Sequence, residues 1–383
     1  MSAELLLLAV FAGAFLSPLF ARLLNMPVPV GELIFGLVLG HMLGGAHEIP
    51  EVLSFLSELG FLILMFLAGL EIDFNLLERT KGSMLSIYTG YTILIFLFGA
   101  LLSFFTGVEL TALMILSLIS VGLMVATLKD MGVSATSLGR RILILGVIGE
   151  LVSLFALTLM EKLGGFRDWG SFLQDAGTVL LFLLGFFVVF HGIKLFVWWY
   201  PELVRRLTYE EDPSAIDIRL SLVLMFFASV LAHLAGIEEV LGAFLAGAVF
   251  SFFIRKKHDL EEKLSSIGYG FFIPIFFIKT GMGMELSGLN TQVLMEVFIF
   301  LVLLLLLRLA PSLILLMTGF SLREAFLSSL LLSYPFTLMI AGTEIARSSG
   351  LIGEERALVL FITASLSSLL FPWSARLLIR VLR

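Results

Sequence analysis

The chain has 383 residues, 59% hydrophobic and 14% charged, with a formal net charge of −6. Soluble domains hold about 45–50% apolar and about 25% charged residues, so this composition excludes an ordinary soluble protein and indicates an integral membrane protein. The absence of cysteine excludes disulfides and thiolate metal sites, and no basic cluster is large enough to suggest nucleic acid as a partner.

Apolar runs of membrane-spanning length, separated by polar breaks, predict thirteen spans: 4–23, 28–45, 52–71, 84–106, 109–129, 139–161, 173–199, 214–234, 237–254, 265–284, 292–318, 322–347 and 353–380. Span 1 has neither a basic region ahead of it nor a small-residue cleavage site, so it is expected to be retained. Spans 2 and 3 carry Glu32 and Glu71 near their ends, where an interfacial place or a local hydrogen bond is expected. Span 5, within LMILSLISVGLMVATLKDMG, has Ser117, Ser120 and Gly122 near its centre.

Span 6 contains LILGVIGELVSLFAL, an apolar run interrupted by Glu150 about nine residues after Arg140 and Arg141. At about 1.5 Å per residue this places the carboxyl roughly 13 Å deep, close to the bilayer midplane. A charge there costs several kcal/mol unless it has a partner or a function, so an ion or proton site is the first expectation and a structural carboxyl the alternative. Desolvation favours the protonated form and a bound cation the ionised form. A proton and a metal cation would therefore compete for Glu150, and that competition is the core of an exchange reaction.

Span 7 is a linker helix within 170–200, with His191 and Lys194 on its polar face; residues 200–216 read as a loop with a short amphipathic piece. Span 10 holds Lys279, expected to snorkel to the interface, to pair with an acid, or to serve the site as an accessory group, and Ser153 on span 6 is a second accessory candidate. Span 11 carries Arg308 in VFIFLVLLLLLRLAPSLILLM. Arginine stays charged at any working pH, so Arg308 is expected to balance a carboxylate and not to carry the proton. Span 12, within FLSSLLLSYPFTLMIAGTEIA, has Ser333, Tyr334, Pro335 and Thr337 at its centre, and Glu344 near its outer end as an outer-vestibule candidate. Pro335 removes a backbone donor and frees a carbonyl one turn earlier, so either a break or a simple kink is expected there.

Lysine and arginine set the orientation. Sixteen lie in the loops after the odd-numbered spans and at the C-terminus, and four lie on the opposite side. The positive-inside rule then puts the N-terminus outside and the C-terminus in the cytoplasm. An internal repeat is also visible. GELIFGLVLG (31–40) matches GAFLAGAVFS (242–251), and LSELGFLILMFLAGLEIDF matches LSSIGYGFFIPIFFIKTGMGMEL (264–286), at an offset of about 211 residues. This pairs repeat one (1–163) with repeat two (213–383), and the seven-span separation makes the two face opposite ways, a secondary-transporter device that sets ion sites at helix breaks. Ser120 and Ser333 share that offset. No phosphate-binding loop, HExxH zinc motif or nucleophile elbow occurs, so ATP-driven or hydrolytic chemistry has no support, and no enzyme activity or cofactor beyond transported ions is expected.

PVPVGELIFGLVLG, LGFLILMFLAGLEIDFNLL, GIEEVLGAFLAGAVFS and GYGFFIPIFFIKTGMGMEL resemble signatures of the monovalent cation:proton antiporter superfamily, in the branch of bacterial sodium/proton and potassium-efflux antiporters. The resemblance implies an all-α fold of thirteen helices in two inverted repeats. It implies a core of 84–161 and 292–380 with spans 5 and 12 broken and crossing, a dimerisation panel of 4–71 and 214–284, elevator-type movement and a homodimer. It places the family's essential aspartate on Glu150, its crossing-helix Ser/Thr on Ser120 and its second-repeat basic residue on Arg308. Gly149 stands where relatives often carry a second polar group, and one carboxylate with an arginine suggests electroneutral exchange. Na⁺ is favoured over K⁺, in a bacterial or archaeal cytoplasmic membrane. The nucleotide-binding regulatory domain of potassium-efflux relatives has no counterpart in the 383 residues. The competing readings are a sodium-coupled organic-solute symporter of similar fold, a non-transporting receptor or scaffold, and, more remotely, a passive channel.

Overall fold

The computed structural model describes residues 3–24, 26–43, 49–72, 80–164, 177–178, 180–182, 184–189, 191–192, 195, 199, 215–253, 257–284 and 290–382. The structure there is helical throughout, with no strand among the described residues. The helices are α1 (Ala3–Leu23), α2 (Val28–Met42), α3 (Glu51–Leu70), α4 (Gly82–Thr106), α5 (Leu110–Ser117), α6 (Gly122–Asp130), α7 (Ser137–Gly164), α8 (Ile216–Leu234), α9 (Glu239–Phe253), α10 (Lys257–Ile267), α11 (Ile273–Met282), α12 (Thr291–Leu309), α13 (Leu322–Leu332), α14 (Phe336–Ser348) and α15 (Glu354–Leu382). A π-helical turn, Gly268–Phe272, joins α10 to α11, and a 3₁₀ segment, Pro311–Thr318, extends α12.

Among the described residues nine helical segments are long and apolar enough to cross a membrane, and α13 with α14, bent by 48°, form a tenth. Three shorter apolar helices, Val28–Met42, Leu180–Val189 and Glu239–Phe252, fall on expected spans 2, 7 and 9. Most of the linker 170–200, including Lys194, and the loop 200–214 lie outside the described residues.

The chain divides into two compact units. One comprises Met1–Leu24, Val28–Phe74 and Phe166–Gly283, the other Asn25–Pro27, Asn75–Gly165 and Met284–Arg383. In the first, backbones cross at glycines. A methyl group on Gly36 would stand 2.0 Å from the Ile278 carbonyl oxygen, and one on Gly281 would stand 2.1 Å from that of Leu33. The same contacts recur between α9 and α3, where Gly247 meets the Phe66 oxygen at 2.0 Å and Gly69 meets that of Phe244 at 2.0 Å. Positions 33 and 36 map onto 244 and 247 by 211 residues, and 66 and 69 onto 278 and 281 by 212. The weak sequence repeat thus has a physical counterpart: each copy's glycine helix crosses the Phe-rich helix of the other. Leu6, Val10, Leu53, Ile275 and Ile278 form a buried cluster in this unit.

Glu32, for which an interfacial place or a local hydrogen bond was expected, is 2% exposed on α2. Glu71 caps the C-terminal end of α3.

The second unit carries α4–α7 and α12–α15. Ion pairs tie its helix ends: Arg141 to Glu324 (3.2 Å), Arg376 to Asp130 (3.1 Å), and Arg356 to Glu296 (2.8 Å). Glu324 also closes a capping box with Ser321 at the start of α13. Such half-exposed pairs contribute about 0–1 kcal/mol each, so they set geometry more than stability.

Candidate functional site

Two interruptions organise the second unit. The first lies between α5 and α6, where residues Leu118–Val121 leave the helix. The second lies between α13 and α14 at Ser333–Pro335. Pro335 has no N–H, and the residue before a proline avoids the helical region, so α13 stops at Leu332. Pro335, at φ −76° and ψ 54°, then forms an inverse γ-turn closed by the Phe336 N–H donating to the Tyr334 carbonyl at 2.8 Å. The Tyr334 side chain is buried. Ser333 is fully buried at the C-terminal end of α13 and donates to the Ser329 carbonyl at 2.6 Å.

A break inside a low-dielectric unit exposes main-chain groups that must be satisfied. Arg308 does much of this. Its guanidinium is fully buried. Nη1 donates to the carbonyls of Leu116 (2.7 Å) and Leu304 (2.9 Å), Nη2 to that of Leu118, and Nε to that of Leu332 (2.8 Å). One planar fork therefore holds the carbonyl ends of both half-helices, α5 and α13, where the helix dipole is negative. The Arg308 carbonyl in turn accepts from the Tyr91 hydroxyl at 3.2 Å. Freed carbonyls of two breaks converge on Arg308, so its side-chain hydrogen bonds go to main-chain oxygens.

The N–H released in the first break has its own acceptor. Ile119 N donates to Ser153 Oγ at 2.8 Å, so Ser153, expected as an accessory group at the ion site, supports the backbone there. Glu150 lies on α7 one turn earlier and is 3% exposed. Ser120 Oγ lies 3.4 Å from Glu150 Oε1, a long donor distance, and 2.6 Å from Thr337 Oγ1. Gly149 is explained by the same break. A methyl group added there would meet the Ile119 side chain at 2.7 Å, so the position next to Glu150 is small because the non-helical segment packs directly on it.

The structure thus brings Glu150, Ser120, Ser153 and Thr337 together, with Arg308 securing the breaks from the carbonyl side. Gly122 begins α6 and has open space beside it. Ser120 and Ser333 stand at the repeat offset, and the hydroxyl that Ser120 touches is that of Thr337, one turn beyond Ser333. Lys279 lies in the other unit, half-buried in the last turn of α11, with no ion pair among the described residues. Glu344, the expected outer-vestibule residue, is held by Arg347 at 2.8 Å. His191 bonds the carbonyl of its own helix at Phe187.

One carboxylate with two hydroxyls is a hard-oxygen set of single negative charge. It lacks the several carboxylates that dedicated divalent sites use, and no cluster of three His, Cys, Asp or Glu side chains occurs among the described residues. The set fits a weakly held monovalent cation, or a proton, as cargo.

Residues 9–380 match the family model described as "Sodium/hydrogen exchanger, transmembrane". The Na(+)/H(+)-K(+) antiporter GerN of Bacillus cereus is 28% identical, over 91% of this chain and 89% of its own length. The Na(+)/H(+) antiporter of Enterococcus hirae is 31% identical, over 76% of this chain and 74% of its own. YjbQ of Bacillus subtilis is 30% identical over 96% of this chain, which spans 61% of that relative's length. Among solved structures, the sodium proton antiporter MjNhaP1 of Methanocaldococcus jannaschii superposes with a TM-score of 0.63 at 14% identity, covering 98% of this chain and 97% of that one.

Proposed function

Because the chain belongs to the transmembrane sodium/hydrogen exchanger family, we propose that it exchanges a monovalent cation, Na⁺ before K⁺, for protons across the membrane. Glu150 is the shared carrier. The observation that carries this reading is the buried carboxylate set beside Ser120 and Thr337 where two broken helices meet. The names of the Bacillus cereus and Enterococcus hirae relatives support the substrate class.

The proton and the cation occupy Glu150 in turn. Arg308 holds a fixed positive charge bonded to carbonyls, so it offsets the carboxylate without taking part in proton transfer. Each turnover then carries one cation one way and one proton the other, which makes exchange electroneutral. The unit holding both breaks is read as the moving core of an elevator, and the unit of glycine crossings as its panel and homodimer surface. The division of the chain into two units supports that reading. The protein sits in a bacterial or archaeal cytoplasmic membrane, N-terminus outside and C-terminus inside, as the lysine and arginine distribution suggests.

Reconstitution into liposomes with a trapped pH dye tests the function. Addition of Na⁺ or K⁺ to the wild type moves protons, and Glu150→Gln abolishes the response by at least about a hundredfold, since the neutral amide neither titrates nor attracts the cation. Undiminished exchange in Glu150→Gln would move the site elsewhere. Flux that required an organic solute would replace exchange with symport, and folded wild type inert to every cation would favour a scaffold role.

A further inference from the structure

We propose that Thr337, on the second break, completes the cation site with Glu150 and Ser120 and determines which monovalent cation the protein prefers; this rests on reading that cluster as the exchange site.

Hydroxyls are common in this unit, and nearly all are committed to their own helices. Ser117 donates to the Leu113 carbonyl, Thr127 to Leu123, Ser329 to Ala325, Ser333 to Ser329 and Thr343 to Met339. Ser120 and Thr337 differ. Their side chains bond to each other at 2.6 Å, and Ser120 also faces Glu150. The cause is local. Ser120 lies inside the first break, and Thr337 is the second residue of α14, so the turn that would supply its helical carbonyl partner has been removed by the second break. The two interruptions thus set free one hydroxyl each.

The arrangement has a direction. Glu150 is 3% exposed and Ser120 is 6% exposed, whereas Thr337 is only partly buried and forms the open edge of the cluster. With Glu150 ionised and no cation present, Thr337 donates to Ser120 and Ser120 to the carboxylate. With a cation present, both hydroxyls turn their lone pairs toward it, and each can do so because neither is tied to a helix carbonyl. Oxygens from two separate breaks then surround the ion. The spacing of those breaks, fixed from the carbonyl side by Arg308, defines the size of ion that touches all three oxygens.

The test compares wild type, Thr337→Val, Thr337→Ser and Glu150→Gln as full chains. Cation-driven exchange is read in proteoliposomes, and thermal stabilisation by NaCl, KCl or LiCl over choline chloride is read in detergent, independently of transport. Loss of one ligand to a charged group predicts a rise of about tenfold in the apparent KM of Thr337→Val for the preferred cation. The preference among the three cations flattens, the cation-specific stabilisation shrinks in parallel, and Thr337→Ser restores both. Thr337→Ala is read in the same way, so a folding defect in one variant leaves the other. Wild-type KM and cation order in Thr337→Val, with Glu150→Gln inactive, would overturn the role of Thr337 and leave the exchange site standing. Full exchange in Glu150→Gln would overturn both.

Discussion

Arg308 shows how a buried charge serves structure. Its hydrogen bonds reach four carbonyls: Leu304 on its own helix, Leu116 and Leu118 at the α5 end of the first break, and Leu332 at the end of α13. A hydrogen bond to a charged group contributes about 1.5–3 kcal/mol, and an abandoned buried acceptor costs about 1–3 kcal/mol. Lysine keeps the charge but offers a single nitrogen in place of a fork. Arg308→Lys is therefore expected to lose thermal stability by several degrees and to slow exchange at least about tenfold, from misplacement of both breaks. Melting curves and proteoliposome flux check this; a variant with wild-type Tm and rate would show that the charge alone suffices. The residue scale is also where the sequence was least complete. Glu150 was legible because an acid in a long apolar run has few explanations. The carbonyl role of Arg308 was not, since Leu116 and Leu118 lie 192 and 190 residues away in sequence.

At the scale of elements, the two breaks arise differently. The second has a local cause, Pro335, written in the sequence. The first contains no proline; it is stabilised by Arg308 on its carbonyls, by Ser153 on the Ile119 N–H, and by the gap at Gly149 that admits the Ile119 side chain. Gly149, seen from the sequence as a missing polar group, is a packing requirement of a neighbouring element. Gly149→Ala is expected to cost about 1–3 kcal/mol through overpacking. Because the obstruction is the side chain of Ile119, Ile119→Ala should recover at least half of that loss in a double-mutant cycle measured by chemical or thermal unfolding. Additive costs would place the obstruction elsewhere. The same logic explains Thr337, for its free hydroxyl depends on what the break removes, and no spacing rule reveals that.

Across the whole molecule, the repeat was legible as glycine spacing, and its meaning is the reciprocal crossing of α2 with α11 and α9 with α3. What the spacing could not convey is that Glu32, an acid on the same helix as Gly36, is buried. In the other unit, polar chemistry concentrates around the breaks, and the helix ends are tied by ion pairs. In the proposed cycle one carboxylate, Glu150, takes a proton or a cation in turn. Its pH dependence follows in sign: as pH falls and Glu150 protonates, the apparent KM for the cation rises, and as pH rises the proton ceases to compete. The most direct test needs no transport. Purified protein in weakly buffered detergent solution at a pH near the midpoint of its activity is titrated with NaCl, and proton release is followed with a pH dye. The account predicts saturable release that approaches one proton per bound cation toward lower pH and is absent in Glu150→Gln. Saturable cation binding without proton release, or release that persists in Glu150→Gln, would contradict it.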